Sequence, residues 1–273
     1  MSALDYEFMQ RALVAAALVG ATAPAIGIFL VQRGLSLMGD GIGHVAFAGV
    51  AAGLLFATSP VLSAMVAAAA AGIVLELLRE RGRMGGDIAL ALIFYGGIAA
   101  GALLTYLAGA SNRVLEYLFG SVLLVTPTDV GLIAITSALV LALVFGLRKQ
   151  LFAVCYDEEA ARASGLRVRG LNMLIAVLAA VTVAVTMRVV GILLVSAMLV
   201  LPVAASQQLA RSFHTTMVSA SVLGVGLSVG GLLLAFYADV APGASIVLSA
   251  IAAYVFATAA AYGVSASGRR RAA

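Results

Sequence analysis

Nine apolar segments recur along this chain, at about 11–31, 42–57, 60–78, 88–108, 128–147, 171–187, 189–206, 215–237 and 244–264. Nothing else in the sequence restricts the fold as strongly. A helix rises about 1.5 Å per residue, so roughly 20 apolar residues cross the ~30 Å hydrocarbon core of a bilayer. Inside lipid each segment must satisfy its own backbone groups, and a helix does so. The chain is 63% hydrophobic and 10% charged, with a mean hydropathy of +1.14. A soluble domain of 273 residues needs far less apolar surface. The reading is all-α: a single transmembrane domain, 1–273, of eight to nine membrane helices. Several segments are short, so an eight-crossing arrangement with one re-entrant segment stays open. Pro60, Pro127, Pro202 and Pro242 sit near segment ends, where a missing N–H costs least. Pro24 lies inside the first segment and is expected to kink it.

The cations sort by side. With nine crossings, one face collects Arg33, Arg79, Arg81, Arg83, Arg148, Lys149, Arg162, Arg167, Arg169, Arg211 and Arg269 to Arg271. The other face holds only Arg11, Arg113 and Arg188. The positive-inside rule makes the crowded face cytoplasmic, with the N-terminus outside and the C-terminus inside. The net charge of +4 therefore records orientation, and no aromatic-plus-basic surface speaks for nucleic acid. Asp5 and Glu7 precede Arg11, whereas a signal peptide begins with cations, so 11–31 reads as a retained membrane helix. The single cysteine, Cys155, excludes a disulfide framework and a thiolate metal site within one chain.

Against this background Asp40 and His44 stand out, in the stretch Gly39-Asp40-Gly41-Ile42-Gly43-His44. Four residues apart on a helix, they share one face. A carboxylate and an imidazole make a usable half-site for a divalent metal. Ionisable groups inside lipid are costly and point to function. The bland alternative is an Asp–His hydrogen bond within the helix that satisfies both groups and holds no metal. Most intramembrane glycines read as packing positions. Gly39, Gly41 and Gly43 read differently: they leave Asp40 little cover and weaken the helix, as suits a discontinuous helix lining a cavity.

The longest polar stretch is the loop from Arg148 to Gly170. At its centre, Asp157-Glu158-Glu159-Ala160-Ala161-Arg162-Ala163-Ser164-Gly165 reads as a short helix. The acids match the positive end of its dipole, Arg162 lies toward the negative end, and Gly165 caps it. The residues leave two readings open: a docking helix for a cytoplasmic partner, or a solvated connector. Elsewhere, Asp239 either lines an entrance or caps a helix. Glu116 and Asp129 read as interfacial, Glu76 and Glu80 as local partners of Arg79, His214 as a surface residue, and Arg188 as snorkelling.

Four blocks, in order, resemble the integral-membrane permease subunit of the bacterial ABC importers for zinc, manganese and iron. The first runs from Gln32 to His44 and ends in the Gly-Asp…His pattern. The second is Leu118-Phe119-Gly120, followed by Asp129. The third is the loop from Tyr156 to Gly165. The fourth runs from Val190-Gly191 to Leu201-Pro202, with Asp239, Pro242 and Gly243 beyond. The first and fourth are the specific ones. This resemblance implies the architecture of the vitamin-B12 and metal-type importer permeases. It also implies a second permease copy, as a homodimer or a heterodimer. Cytoplasmic ATP-binding subunits would dock through Asp157 to Gly165, and an extracytoplasmic protein would deliver the ion.

The chain departs from the pattern at Gln32 and Gly34, which flank Arg33 where the family has a second cation. It departs again at Gly43 and at Phe47-Ala48-Gly49, but Asp40 and His44 match. A two-fold axis would double the pair to two carboxylates and two imidazoles, a mixed set suited to Zn²⁺, Mn²⁺ or Fe²⁺. The metal is cargo, and no resident cofactor is expected. No His-Glu-x-x-His or Gly-x-Ser-x-Gly pattern supports an intramembrane enzyme. No Walker motif occurs, so any ATP is hydrolysed by a partner. A secondary transporter driven by an ion gradient is the remaining rival.

Overall fold

The computed structural model describes residues 5–80, 86–109, 111–120 and 125–271. Arg81 and Arg83 lie outside the described residues, as do the side chains of Arg188 and of Arg269 to Arg271. Among the described residues every regular element is a helix: α1 Glu7–Gln32, α2 Met38–Leu55, α3 Pro60–Glu80, α4 Gly86–Ala108, α5 Ser111–Phe119, α6 Pro127–Gly146, α7 Arg148–Tyr156, α8 Glu158–Ala163, α9 Val168–Val190, α10 Ile192–Gln207, α11 Phe213–Ala238 and α12 Pro242–Arg271.

Eight of these are long and apolar enough to cross a membrane: α1, α2, α3, α4, α6, α9, α11 and α12. The ninth apolar segment becomes α10, with 16 residues. At about 24 Å it is shorter than the hydrocarbon core. Its Ile192 lies beside Gly43 of α2, while Ser196 and Leu199 lie beside Gly39. α10 therefore runs antiparallel to α2 through the interior, and the choice between eight and nine crossings rests on this one helix. Pro202 lies within α10 rather than at its end. α1 and α9 form the centre of the bundle, whereas α4, α6 and α12 present most of their surface outward.

Small residues decide how closely the helices approach. A Cβ on Gly20 of α1 would stand 2.4 Å from the Gly224 carbonyl oxygen of α11, and one on Gly27 would stand 1.9 Å from that of Leu199. At the end of the bundle away from α7 and α8, three glycines interlock. Gly191 is the one-residue corner between α9 and α10, at φ +90°; its Cβ would meet the Leu118 carbonyl oxygen at 2.5 Å. Gly120, at φ +74°, packs on the backbone of Val189 to Gly191, and Gly243 on the carbonyl of Val190. The short blocks at 118–120, 190–191 and 242–243 thus meet in one knot.

Gly191→Ala is expected to lower stability by about 1–3 kcal/mol from the backbone conformation alone. The Leu118 contact adds to that. Gly226, with nothing within 4 Å of its Cβ position, is the control. Circular dichroism melting in detergent should show a lower Tm for Gly191→Ala and an unchanged Tm for Gly226→Ala.

Candidate functional site

α2 is continuous from Met38 to Leu55, so the glycines around Asp40 do not interrupt it. The expectation of a discontinuous helix is corrected. Each glycine instead admits a neighbour: Gly39 and Gly43 face α10, Gly41 faces Leu90 of α4, and Gly49 and Gly53 face the start of α3. From the other side, a Cβ on Gly97 of α4 would stand 2.7 Å from the backbone of His44 and Val45. α3 and α4 thus press backbone against α2 at Gly49, Gly53 and Gly97, whereas α10 and Leu90 meet it mainly through side chains.

Asp40 and His44 lie on a strip of α2, with Phe47, that these neighbours leave partly exposed. Four residues of helix separate them by about 6 Å along the axis. The His44 ring meets Phe94 of α4 edge to face, with ring centroids 4.4 Å apart. The imidazole is thus held by packing, and among the described residues no hydrogen bond ties it to Asp40. At the start of α2 lies a cavity of about 200 Å³, lined by Ser36, Leu37, Arg79, Asp87 and others. Among the described residues no cluster of three or more His, Cys, Asp or Glu side chains could hold a metal. One chain offers two ligands here, fewer than the four or more a divalent transition metal takes.

The helix expected at 157–165 is present as α8. The Asp157 carboxylate accepts from the backbone N–H of Glu159 and Ala160, both at 2.9 Å. Gly165, at φ +81°, closes the far end, with its N–H and that of Leu166 donating back to Arg162 and Ala161. α8 turns Ala161 inward against Val154 and Val168. Glu159, Ala160, Arg162, Ala163 and Ser164 face solvent. The preceding polar stretch, read as loop, forms a further helix, α7, anchored by buried Leu151 and Val154.

Arg33, placed by the sequence among the cytoplasmic cations, joins α3 to α8, a pairing that nothing in the sequence marks. Its guanidinium donates to Glu76 of α3 at 3.2 Å and to Glu158 of α8 at 3.3 Å. The Arg33 and Glu76 side chains are only 5% and 3% exposed. Glu76 also accepts from Arg79 at 3.1 Å, as expected locally, whereas Glu80 pairs with Arg169 of α9 at 2.9 Å. Cys155 lies beside this group, its Sγ 3.9 Å from the Phe29 carbonyl oxygen. Burial pushes its thiol up to about 12, against the pull of Arg33 and with a smaller push from Glu158. At neutral pH it therefore stays protonated, in a setting unlike that of an activated thiolate.

Asp129 is not an interfacial carboxylate. It is buried in a capping box with Thr126 at the start of α6, a Thr-x-x-Asp signal present in the sequence. Asp239 ends α11 in the left-handed region at φ +52°, exposed. Glu116 and His214 are exposed on α5 and α11.

The bundle is that of a polytopic permease, with a short helix presented at one end and an ionisable pair within. The chain belongs to the ABC 3 transport family, which it matches over residues 5–261. It is 32% identical over 245 residues to the manganese import system permease protein ScaB of Streptococcus gordonii, covering 90% of this chain and 88% of that one. It is 31% identical over 256 residues to a Haemophilus influenzae protein named "Probable iron transport system membrane protein", covering 94% of each. Among solved structures, PsaBC from Streptococcus pneumoniae in complex with a Fab superposes with a TM-score of 0.85 at 32% identity, covering 93% of this chain and 92% of that one.

Proposed function

We propose that this chain is the permease subunit of an ATP-driven importer for a divalent transition metal ion, zinc, manganese or iron. The observation that carries the proposal is the position of Asp40 and His44. A family member keeps a carboxylate and an imidazole part open on one face of an otherwise tightly packed intramembrane helix. Two permease copies face these strips toward a shared axis, giving two carboxylates and two imidazoles. Such a site offsets the ion's lost hydration yet holds it weakly enough to release it. The names of the relatives favour manganese or iron. The ion is cargo, and alternating access of the dimer moves it past the pair.

In this reading the whole chain is one permease domain in the bacterial cytoplasmic membrane. The end bearing α7 and α8 faces the cytoplasm, with the N-terminus outside and the C-terminus inside, in line with the arginine distribution. The outward face of α8, formed by Glu159, Ala160, Arg162, Ala163 and Ser164, docks a cytoplasmic ATP-binding subunit, which hydrolyses the ATP, while Glu158 turns back to Arg33 and Asn172. An extracytoplasmic metal-binding protein delivers the ion near Asp239. The test is uptake into proteoliposomes holding the permease and its ATP-binding subunit, with the metal-binding protein on the delivery side and zinc, manganese and iron in competition. Uptake should require ATP. Uptake by the permease alone, driven by an ion gradient, would identify a secondary transporter instead.

A further inference from the structure

We propose that Arg33 is a positioning residue for transport: it couples docking helix α8 to the membrane helices through a detachable ion pair with Glu158. The inference rests on the reading of α8 as the site where the ATP-binding subunit docks. Four elements meet at this point. Arg33 follows the last residue of α1, Glu76 and Arg79 lie on α3, Glu158 opens α8, and Asn172 lies on α9. Asn172 donates to the same Glu158 oxygen that Arg33 contacts, at 3.0 Å. The two arginines and two glutamates balance in charge.

The partners of Arg33 are unequal. Glu76 is buried, while the Glu158 side chain is 46% exposed. A buried guanidinium cannot lose all its partners without a large penalty. Glu76 therefore holds Arg33 permanently, and Glu158 can leave without stranding the cation. The other attachments of α8 are apolar or covalent: Ala161 packs with Val154 and Val168, with Ala153, Leu166 and Leu171 around them, and Asp157 alone joins α8 to α7. The carboxylate of Glu158 adds the polar attachment, gripped at the end of α1 through Arg33 and by α9 through Asn172. Arg33 also begins the short turn that leads into α2, seven residues before Asp40. A displacement imposed on α8 by its partner therefore has, through Arg33, a direct polar route to the start of the Asp40 helix. The link depends on charge: one guanidinium nitrogen, Nη2, donates to both carboxylates.

The test uses the permease purified with its ATP-binding subunit and reconstituted in liposomes, with the metal-binding protein and metal supplied on the delivery side. Glu158→Gln keeps the side chain's size at a half-exposed position, so the fold is retained. Expected are normal co-purification of the ATP-binding subunit, continued ATP hydrolysis, and roughly a tenfold drop in ions carried per ATP, the equivalent of one lost charge-assisted hydrogen bond. Glu158→Asp, which restores the charge, should recover part of that ratio, which a merely structural role would not predict. An unchanged ratio in Glu158→Gln overturns the proposal. So does loss of co-purification, which would place Glu158 in the docking contact itself. A separate variant on the exposed face, Ala160→Glu, reports on the reading beneath: if the ATP-binding subunit still co-purifies, α8 is not the docking element, and both fall together.

Discussion

Asp40→Ala and His44→Ala are each expected to bring ATP-driven metal uptake down to the background of vesicles without ATP. The reason is arithmetic as much as chemistry. One chain contributes two ligands, and each substitution in a symmetric dimer removes two of four. The remaining pair cannot replace the hydration shell of a divalent ion, so the ion meets the full desolvation barrier there. The fold should survive. Both side chains are partly exposed, and neither anchors a helix contact of the kind made by Gly39, Gly43 or Gly97. Co-purification of the ATP-binding subunit, measured on the same samples, should stay at the unsubstituted level, since α8 lies apart from the pair. Asp40→Asn separates the two possible contributions of the carboxylate. It keeps an oxygen ligand but drops the charge, and uptake should still be largely lost.

Gly97→Ala is the second large effect, and it acts without touching a ligand. The added methyl group would stand 2.7 Å from the backbone of His44 and Val45 and 3.0 Å from the His44 carbonyl oxygen. Backbone cannot rotate away as a side-chain tip can, so α4 and α2 must separate. Overpacking of this kind costs about 1–3 kcal/mol. Separation also shifts His44 relative to Phe94, whose ring holds the imidazole edge-on. Misplacement of a ligand by a fraction of an ångström lowers function steeply, so uptake should fall roughly tenfold or more. Gly96→Ala is the neighbouring control, because its Cβ would find nothing within 4 Å. It should leave the melting temperature unchanged, while Gly97→Ala lowers it.

What the sequence disclosed and what it hid divide along the range of the interactions. Local signals were legible. The acids of α8, its Asp157 cap and Gly165 at its end follow from dipole and capping rules that operate within one turn. Run length gave nine apolar segments, of which eight form helices long and apolar enough to cross a membrane. The Thr126 and Asp129 capping box was equally local, and an S/T-x-x-D/E scan would have found it. Contacts between distant positions were not legible. Arg33 meets Glu76 across 43 residues and Glu158 across 125, and nothing in either neighbourhood marks the pairing. The glycines at 39, 41 and 43 look like helix breakers when read along the chain. Only the approach of α10 and α4 shows that they are contact points. The break between the segments 171–187 and 189–206 was legible, but its place was not: it falls at Gly191, a single residue at positive φ between α9 and α10.

Asp40 and His44 were legible as an anomaly, because charge in an apolar run is rare. Their setting was not. The orientation of His44 depends on Phe94, 50 residues away, and the room around Asp40 depends on which faces of α2 the glycines surrender to neighbours.

The central claim is that one ion is shared by Asp40 and His44 from two permease copies. Manganese bound to the purified permease–ATPase complex reports on this directly, because pulsed paramagnetic resonance detects imidazole nitrogen coupled to the metal. The account predicts one bound ion per two permease chains, with nitrogen coupling that disappears in His44→Ala. One ion per single chain, or nitrogen coupling that persists in His44→Ala, would contradict it.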